Sequence, residues 1–337
     1  MKNKFVQSKQ QTYWKWSLIL LILLILLVMY DLTLGSFSIS FADIWKALFA
    51  HDTNSQSEIM VRIFRFPRVI TGVMVGIALS VSGLLLQTLF QNPLAGPYVL
   101  GINSGASLFV AISTMFSFHV ISTSFSLVTA AMVGAFLVGL LVLASSLYLK
   151  NKISLLLVGI MLGSFIGAIV SVIQSYADPN DLKTFMLWSF GSLQSISYSQ
   201  LPGLFVVVLM GFLLSLLIAK PLNLLVLGDK NASILGVNTK QIRFVVVLIT
   251  SILSGVITAY CGPIAFVGLI IPNMVKFVYK TTNHFQLILG SALMGAVLIV
   301  FCDILMQLLM DTIKIPLNAL TALIGAPVVV WIILKKF

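Results

Sequence analysis

The sequence has little charge and almost no cysteine. Only 9% of its 337 residues are charged, 59% are hydrophobic and the mean hydropathy is +1.10, whereas a soluble domain carries about 25% charged residues. This number of charged residues is too small to cover the surface of a soluble protein of this size, and a chain with this many hydrophobic residues does not remain disordered. Cys261 and Cys302 both lie inside apolar runs, which excludes a disulfide scaffold and favours their packing as small hydrophobic side chains.

The sequence also lacks the short motifs that mark catalytic sites. It contains no G-x-x-x-x-G-K-[ST], H-E-x-x-H, C-x-x-C or nucleophile elbow, so it lacks the usual elements for holding ATP, zinc or a serine nucleophile. We therefore expect no catalytic residues, no metal ligands and no bound cofactor, and we do not expect this chain to be an enzyme.

Long apolar runs are what the sequence does contain. They predict transmembrane helices at roughly 16–34, 69–90, 98–118, 125–149, 153–175, 197–219, 243–261, 264–279, 287–310 and 318–334. Residues 264–279 are short for a span. No small-x-small cleavage site follows the first run, so we expect it to stay as an uncleaved helix. The fold class is therefore all-α, a multi-pass membrane protein.

The basic residues fix the predicted orientation. If the N-terminus is cytoplasmic and the chain crosses ten times, 14 of the 20 basic residues fall in cytoplasmic segments together with a single acid, Asp229. This distribution is the one that the positive-inside rule requires, with both termini in the cytoplasm. The net charge of +11 is thus explained by topology, and we expect no nucleic-acid partner.

Small residues at four-residue spacing indicate how the helices pack. They occur in the second, fifth and ninth predicted helices, at Gly72, Gly76 and Ser80, at Gly159, Gly163 and Gly167, and at Ser291 and Gly295. Small side chains let helix backbones approach closely within a membrane. The pattern predicts a compact helical bundle.

Polar interruptions mark the candidate functional regions. Pro93 and Pro97 break the chain at the cytoplasmic end of the second helix, where either a simple reversing turn or a constriction of a pore is expected. Asp303 and Gln87 lie inside apolar helices, and either structural hydrogen bonding or a transport role is open for both. Residues 227–238 predict a short cytoplasmic helix that Asp229 caps and Gly236 ends, either a docking element or an ordinary loop.

Several of these stretches together carry a resemblance to one family. The matching stretches are 65–68, 76–83, Gln87, 92–95, 100–106, 227–228, 235–237, 262–272, Asp303, Pro316 and 325–327. They resemble the FecCD family, which comprises the permease subunits of ABC importers for iron-siderophores, haem and vitamin B12. The resemblance implies one permease domain over residues 1–337, with inverted halves at 69–175 and 243–334. The first helix (16–34), a linking helix (197–219) and a cytoplasmic coupling segment (220–242) complete it.

The resemblance also implies partners and residue roles. A second permease subunit (a homodimer), two ATP-binding subunits that hold ATP and magnesium, and an extracytoplasmic substrate-binding protein are expected in a bacterial cytoplasmic membrane. Docking of the binding protein is implied for Arg65 and Arg68. A cytoplasmic gate is implied for Asn92, Pro93 and Leu94 and, on a second element, for Lys152, Ile153 and Ser154. Coupling to the ATPase is implied for Leu227, Gly228, Asp229, Ala232, Leu235, Gly236 and Val237.

The sequence departs from the family pattern at three places. Gln307 stands where a third docking charge is usual, and Lys314 is a candidate to replace it. Asn273 follows Pro272 where the family usually has histidine, and residues 283–285 read Asn-His-Phe in place of Asp-His-Arg. Residue-specific family roles at these positions are therefore open.

The resulting hypothesis is an ABC importer permease that moves an iron chelate, either a ferric siderophore or haem, into the cytoplasm. The alternatives are a vitamin B12 permease of the same family and, from another class, an ion-coupled secondary transporter that uses Asp303.

Overall fold

The structure, a computed structural model, describes residues 2–35, 39–49, 56–116, 123–149, 151–310 and 313–336, and helices are the only regular secondary structure in these ranges. The helices are α1 (Lys2–Thr33), α2 (Phe41–Phe49), α3 (Gln56–Ile59), a π-helix (Met60–Arg65) that runs directly into α4 (Phe66–Phe90), a 3₁₀ helix (Pro97–Leu100), α5 (Ile102–Met115), α6 (Thr123–Tyr148), α7 (Lys152–Ser175), α8 (Pro179–Ser189), α9 (Leu201–Leu217), α10 (Ala219–Leu225), α11 (Asp229–Ile234), α12 (Thr239–Cys261), α13 (Val267–Tyr279), α14 (His284–Leu309) and α15 (Leu317–Lys336).

The predicted spans are all present as apolar helices. Six helices are long and apolar enough to cross a membrane, α9 and α10 form a seventh candidate bent by 53°, and α5, α13 and α15 are shorter apolar helices. Each corresponds to one of the ten predicted segments, and the predicted all-α, multi-pass fold is confirmed. The short helices α2 and α8 were not predicted, because neither has an apolar run long enough to stand out.

Helix α4 occupies the centre of the bundle, and small residues allow its neighbours to approach closely. A Cβ added to Gly76 would overlap the backbone of Gly295 in α14, and one added to Gly83 would overlap the carbonyl of Gly268 in α13. The Ser80 hydroxyl donates a hydrogen bond of 2.7 Å to the Ser291 carbonyl across the first of these contacts. The prediction that small residues build a compact bundle is correct for these helices.

Two pairs of consecutive helices, α4–α5 and α12–α13, are each separated by a short segment that is not α-helical. Helix α4 ends at Gln91, whose φ is +50°, and α5 begins only after Gly101. Helix α12 ends at Gly262 with φ +73°, and α13 begins after Phe266 with φ +67°. The predicted helix starts at 98 and 264 were therefore too early, because left-handed residues just before α5 and α13 delay both helices.

The segment between α4 and α5 and the segment between α12 and α13 meet inside the bundle, and we call them the two connecting segments. A Cβ on Gly268 would lie 2.7 Å from Cδ of Pro97, and a cavity of about 240 Å³ lies between the two segments. It is lined mostly by apolar groups, including Leu79, Val99, Ile264 and Leu269. Backbone without helical hydrogen bonds is tolerated at membrane depth where it is buried in protein or lines a cavity.

Candidate functional site

A wide cavity opens on the predicted outer side, between α1, the π-helix, α4, α14 and residues 194–200. Its volume is about 880 Å³, and its polar lining includes Asp31, Arg65, Arg68, Gln200 and Gln307. Both arginines that the resemblance assigns to binding-protein docking thus reach the same cavity.

The guanidinium of Arg68 forms an ion pair inside the bundle. Its Nη2 and Nε atoms donate hydrogen bonds of 2.7 and 3.0 Å to Oδ1 of Asp303. The Asp303 side chain is 1% exposed and that of Arg68 is 14% exposed. A carboxylate this deeply buried requires a charged partner, so the geometry gives Asp303 a structural role.

Gln307 extends this pair to a third helix. Its Nε2 donates to Oδ2 of Asp303 at 3.2 Å and to Oδ1 of Asp31 in α1. Asp31 is itself buried. The cluster Asp31–Gln307–Asp303–Arg68 therefore connects α1, α14 and α4, and the neutral amide at 307 has a defined role as a bridge between two carboxyl groups.

Arg65 fixes the outer end of α1. Its Nη1 donates to the carbonyls of Leu32 and Thr33 at 2.9 and 3.0 Å, which have no partner within the helix because α1 ends there. A positive group at this helix end also interacts favourably with the helix dipole. Docking by Arg65 and Arg68 remains a prediction, and both side chains already have partners within the chain.

At the cytoplasmic end, the turn after α4 is held by its own side chains. Oδ1 of Asn92 accepts a hydrogen bond from the Leu94 amide at 2.9 Å, and the Ala95 amide donates to the Asn92 carbonyl at 3.1 Å. Such a bond from the side chain to the backbone two residues later is typical of a tight turn. The structure shows a tight turn here, and the gate role of Asn92, Pro93 and Leu94 remains a prediction.

Helix α13 holds this turn against the bundle. Nδ2 of Asn273 donates to the carbonyls of Pro93 and Leu269, both at 2.8 Å. Gln87 of α4 donates from Nε2 to the same Leu269 carbonyl at 3.0 Å and accepts from Nζ of Lys276 at 3.1 Å. Asn273, where the sequence departs from the family pattern, is thus a direct anchor of the predicted gate, and Gln87 has a structural role beside it.

The other predicted gate element is the start of α7. Oδ1 of Asn151 caps the helix by accepting from the Ile153 amide at 2.9 Å. Ile153 is exposed, Ser154 is half-buried and Leu155 is buried. Nζ of Lys152 forms an ion pair of 2.8 Å with Oδ1 of Asp229 in α11. This predicted gate element therefore touches the predicted coupling segment.

The coupling segment contains the predicted short helix, α11. Gly228, with φ +95°, occupies the cap position, and Asp229 is the first helical residue rather than the cap. The predicted end at Gly236 is correct: its φ is +87°, and the Val237 amide donates to the Ala232 carbonyl at 3.0 Å, as in a Schellman end.

One side of α11 is buried and the other presents apolar side chains. Ala232 is fully buried, whereas Ile234 is 82% exposed and Leu227 and Leu235 are each 55% exposed. Apolar side chains clustered on a polar cytoplasmic surface are typical of a protein-binding site. The arrangement favours a docking element over an ordinary loop.

Helix α10, which precedes α11, is connected to the ends of α4 and α14. Nε2 of Gln91 donates to the Leu225 carbonyl at 3.0 Å. The His284 amide and Nδ1 lie 2.7 and 2.8 Å from Oδ1 of Asn223, while Nε2 of His284 lies 2.8 Å from Oγ1 of Thr88. Asn283 caps α14 by accepting from the Phe285 amide at 3.0 Å. The atypical 283–285 stretch thus serves as a structural joint.

Comparison with known proteins decides the family. Residues 22–335 match the model of the FecCD transport family. The chain belongs to the FecCD transport family. It is therefore a permease subunit of an ABC importer for haem, vitamin B12 or iron chelates, a multi-pass protein of the inner membrane. The class implies an ATPase and a substrate-binding protein as partners.

Individual relatives of this FecCD permease agree with the family match. It is 36% identical over 320 residues to the hemin transport system permease of Yersinia pestis, and the matched region covers 94% of each chain. It is 38% identical over 275 residues to a vitamin B12 import permease of Vibrio parahaemolyticus, covering 81% of this chain and 82% of the other. A solved structure, described as an inward-facing conformation of a metal-chelate type ABC transporter, has a TM-score of 0.84 at 30% identity and covers 95% of this chain and 99% of its own.

The sequence alone did not single out Asp31, Asn223 or Arg243 of this FecCD permease. Asp31 had a usable signal, because it is an acidic residue at the end of an apolar helix. Asn223 and Arg243 had none, because Asn223 contacts His284, 61 positions away, and Nη1 of Arg243 donates to the Leu149 carbonyl, 94 positions away.

Proposed function

We propose that the chain works as a homodimer with two ATP-binding subunits and imports an iron chelate, haem or a ferric siderophore. The proposal rests mainly on one observation: the two connecting segments, between α4 and α5 and between α12 and α13, meet around an apolar cavity. It is supported by the position of this cavity between the outer mouth and the cytoplasmic turn that Asn273 anchors. Discontinuous helices near the membrane midplane are where transporters pass their substrates.

The apolar lining suits passage rather than tight binding. Substrate must leave each point of a path as readily as it enters, so strong fixed charges along the path would slow a chelate. The residues lining the inner cavity carry no formal charge, whereas the charged groups lie at the outer mouth. We assign chelate selectivity to the binding protein and not to this chain.

Alternating access requires the gate elements to respond to the ATPase. The exposed residues Leu227, Ile234 and Leu235 supply an apolar surface for an ATP-binding subunit, on which ATP and magnesium are bound. ATP-driven closure of the two ATP-binding subunits would move α11 and, with it, the ends of α7 and α4.

At the outer mouth we assign docking to Arg65 and Arg68, with Lys314 as the third cation in place of Gln307. Acidic groups on the binding protein would share these guanidiniums with Asp303 and the end of α1. Lys314 is exposed. Lys314→Glu keeps the buried cluster intact, so it tests docking alone: binding should weaken, and weaken more at low salt. Docking that is unchanged at every salt concentration would remove Lys314 from the site.

Transport in proteoliposomes tests the substrate class. The chain is reconstituted with its ATPase and its binding protein, and uptake of haem, a ferric siderophore and cobalamin is measured in parallel. We expect uptake of one of the two iron chelates to exceed that of cobalamin. Uptake of cobalamin alone would establish the vitamin B12 alternative, which the Vibrio relative favours, and uptake of none of the three would refute the proposal.

A further inference from the structure

A single ion pair joins the start of α7 to the start of α11. Nζ of Lys152 lies 2.8 Å from Oδ1 of Asp229, and the two side chains are 14% and 37% exposed. Lys152 belongs to the predicted cytoplasmic gate, and Asp229 belongs to the segment proposed to contact the ATPase. The two functional regions are therefore in direct charged contact.

Lysine is an unfavourable residue at the position of Lys152. It is the first residue of α7, where the helix dipole is positive and a cation is less favourable than a neutral residue. Asp229, the first residue of α11, has the favourable sign for its own helix. The pairing with Asp229 offsets the repulsion at Lys152, so the position of the lysine is explained by the partner rather than by its helix.

A second contact involves Leu149, the residue that follows α6. Nη1 of Arg243, in the first turns of α12, donates to the Leu149 carbonyl at 2.6 Å, and Arg243 is buried. Leu149 follows α6, and Lys152 is the first residue of α7. The segment from α11 to α12 therefore contacts the end of α6 through Arg243 and the start of α7 through Asp229.

The first turns of α7 carry both buried and exposed side chains. Its buried residues are Leu155, Gly159, Ile166 and Val170, and only Leu155 belongs to its first turn. Ile153 and Leu157 are exposed. This end of α7 is therefore held by the Lys152–Asp229 ion pair together with the packing of Leu155.

We propose that Lys152 and Asp229 are a positioning pair that transmits movement of α11 to the gate at the start of α7. The proposal rests on the proposed function and identifies one specific connection within it. Arg243 holds the end of α6, so displacement of Asp229 would pull on Lys152. The pair acts on the predicted gate element that Lys152 forms with Ile153 and Ser154.

Charge reversal and charge exchange test the pair. Lys152→Glu, Asp229→Lys and the double exchange are reconstituted with ATPase and binding protein, and ATP hydrolysis is measured in the same vesicles as uptake of whichever of haem, a ferric siderophore and cobalamin the unchanged protein imports. Lys280→Glu is the matched control, since it makes the same charge change at an exposed lysine at the end of α13. Co-purification of the ATPase is measured for every variant.

The expected readout is uptake per ATP hydrolysed. Each single reversal should lower this ratio about three- to tenfold, as for neighbouring charges that interact, and the double exchange should return it to within about twofold of the unchanged protein. Lys280→Glu should leave the ratio unchanged. ATPase co-purification should persist in all variants, because the exposed apolar surface of α11 is not altered.

Three results would overturn the pair's role. These are single reversals with a normal ratio, a double exchange as defective as the singles, and loss of the bound ATPase in Asp229→Lys, which would make Asp229 a docking residue. All three presuppose ATP-dependent uptake by the unchanged protein. If the unchanged protein shows none, the proposed function itself fails, and this inference fails with it.

Discussion

Removing the cation of the buried outer cluster is the most demanding test of how this bundle is held together. In Arg68→Met the apolar part of the side chain is retained and the guanidinium is lost, so Asp303 loses its cation and keeps the amide of Gln307. The Asp303 carboxylate is 1% exposed and both of its strong contacts, at 2.7 and 3.0 Å, come from Arg68. We therefore expect the unfolding free energy to fall by about 3–5 kcal/mol, the cost of leaving one member of a buried pair alone.

Reversible unfolding of the purified protein in mixed micelles measures this loss. The double variant Arg68→Met/Asp303→Leu removes both charges and should regain most of the stability, because a buried pair and a packed apolar pair are often close in free energy. Lys183→Met, at an exposed lysine on the same side of the membrane, is the control and should change stability by less than about 0.5 kcal/mol. A loss below about 1 kcal/mol in Arg68→Met, or a double variant as unstable as the single, would contradict the structural role assigned to the cluster.

Three further predictions concern the cytoplasmic anchor, the docking surface and the bundle core. Asn273→Leu removes the side-chain donor to the Pro93 carbonyl and one of the two side-chain donors to the Leu269 carbonyl and should raise substrate leak through vesicles lacking ATP; unchanged leak would rule out the anchor. Ile234→Asp should release the co-purifying ATPase while Lys230→Asp does not, and equal retention in both would exclude this surface. Gly76→Leu, which overlaps the Gly295 backbone, should lower the unfolding free energy by at least about 1–3 kcal/mol, and normal thermal stability would contradict the close contact.

The helices were predictable because their cause is local. A run of apolar residues long enough to cross a membrane has few alternatives to a helix, and α4 and α14 were recognised from such runs. Pro93, Pro97 and Gly236 mark turns through their own backbone restrictions. Helices α2 and α8 were missed because they are short, and short amphipathic helices resemble loops in composition.

The connections between helices could not be predicted, because they join residues far apart in sequence. The Arg68–Asp303 pair spans 235 positions and the Gln307–Asp31 contact spans 276. The sequence did place Asp303 in a helix where a charge requires a partner, yet nothing in it selects Arg68 over Arg65 as that partner. The same holds for Asn273, whose acceptor, the Pro93 carbonyl, lies 180 positions away.

The energy source of uptake tests the central claim most directly. Vesicles holding the chain with its ATPase and binding protein are supplied either with ATP or with a proton or sodium gradient, and iron-chelate uptake is followed in each. We predict uptake with ATP that vanishes when ATP hydrolysis is blocked, and no uptake with a gradient alone. Uptake driven by a gradient without ATP would contradict the account.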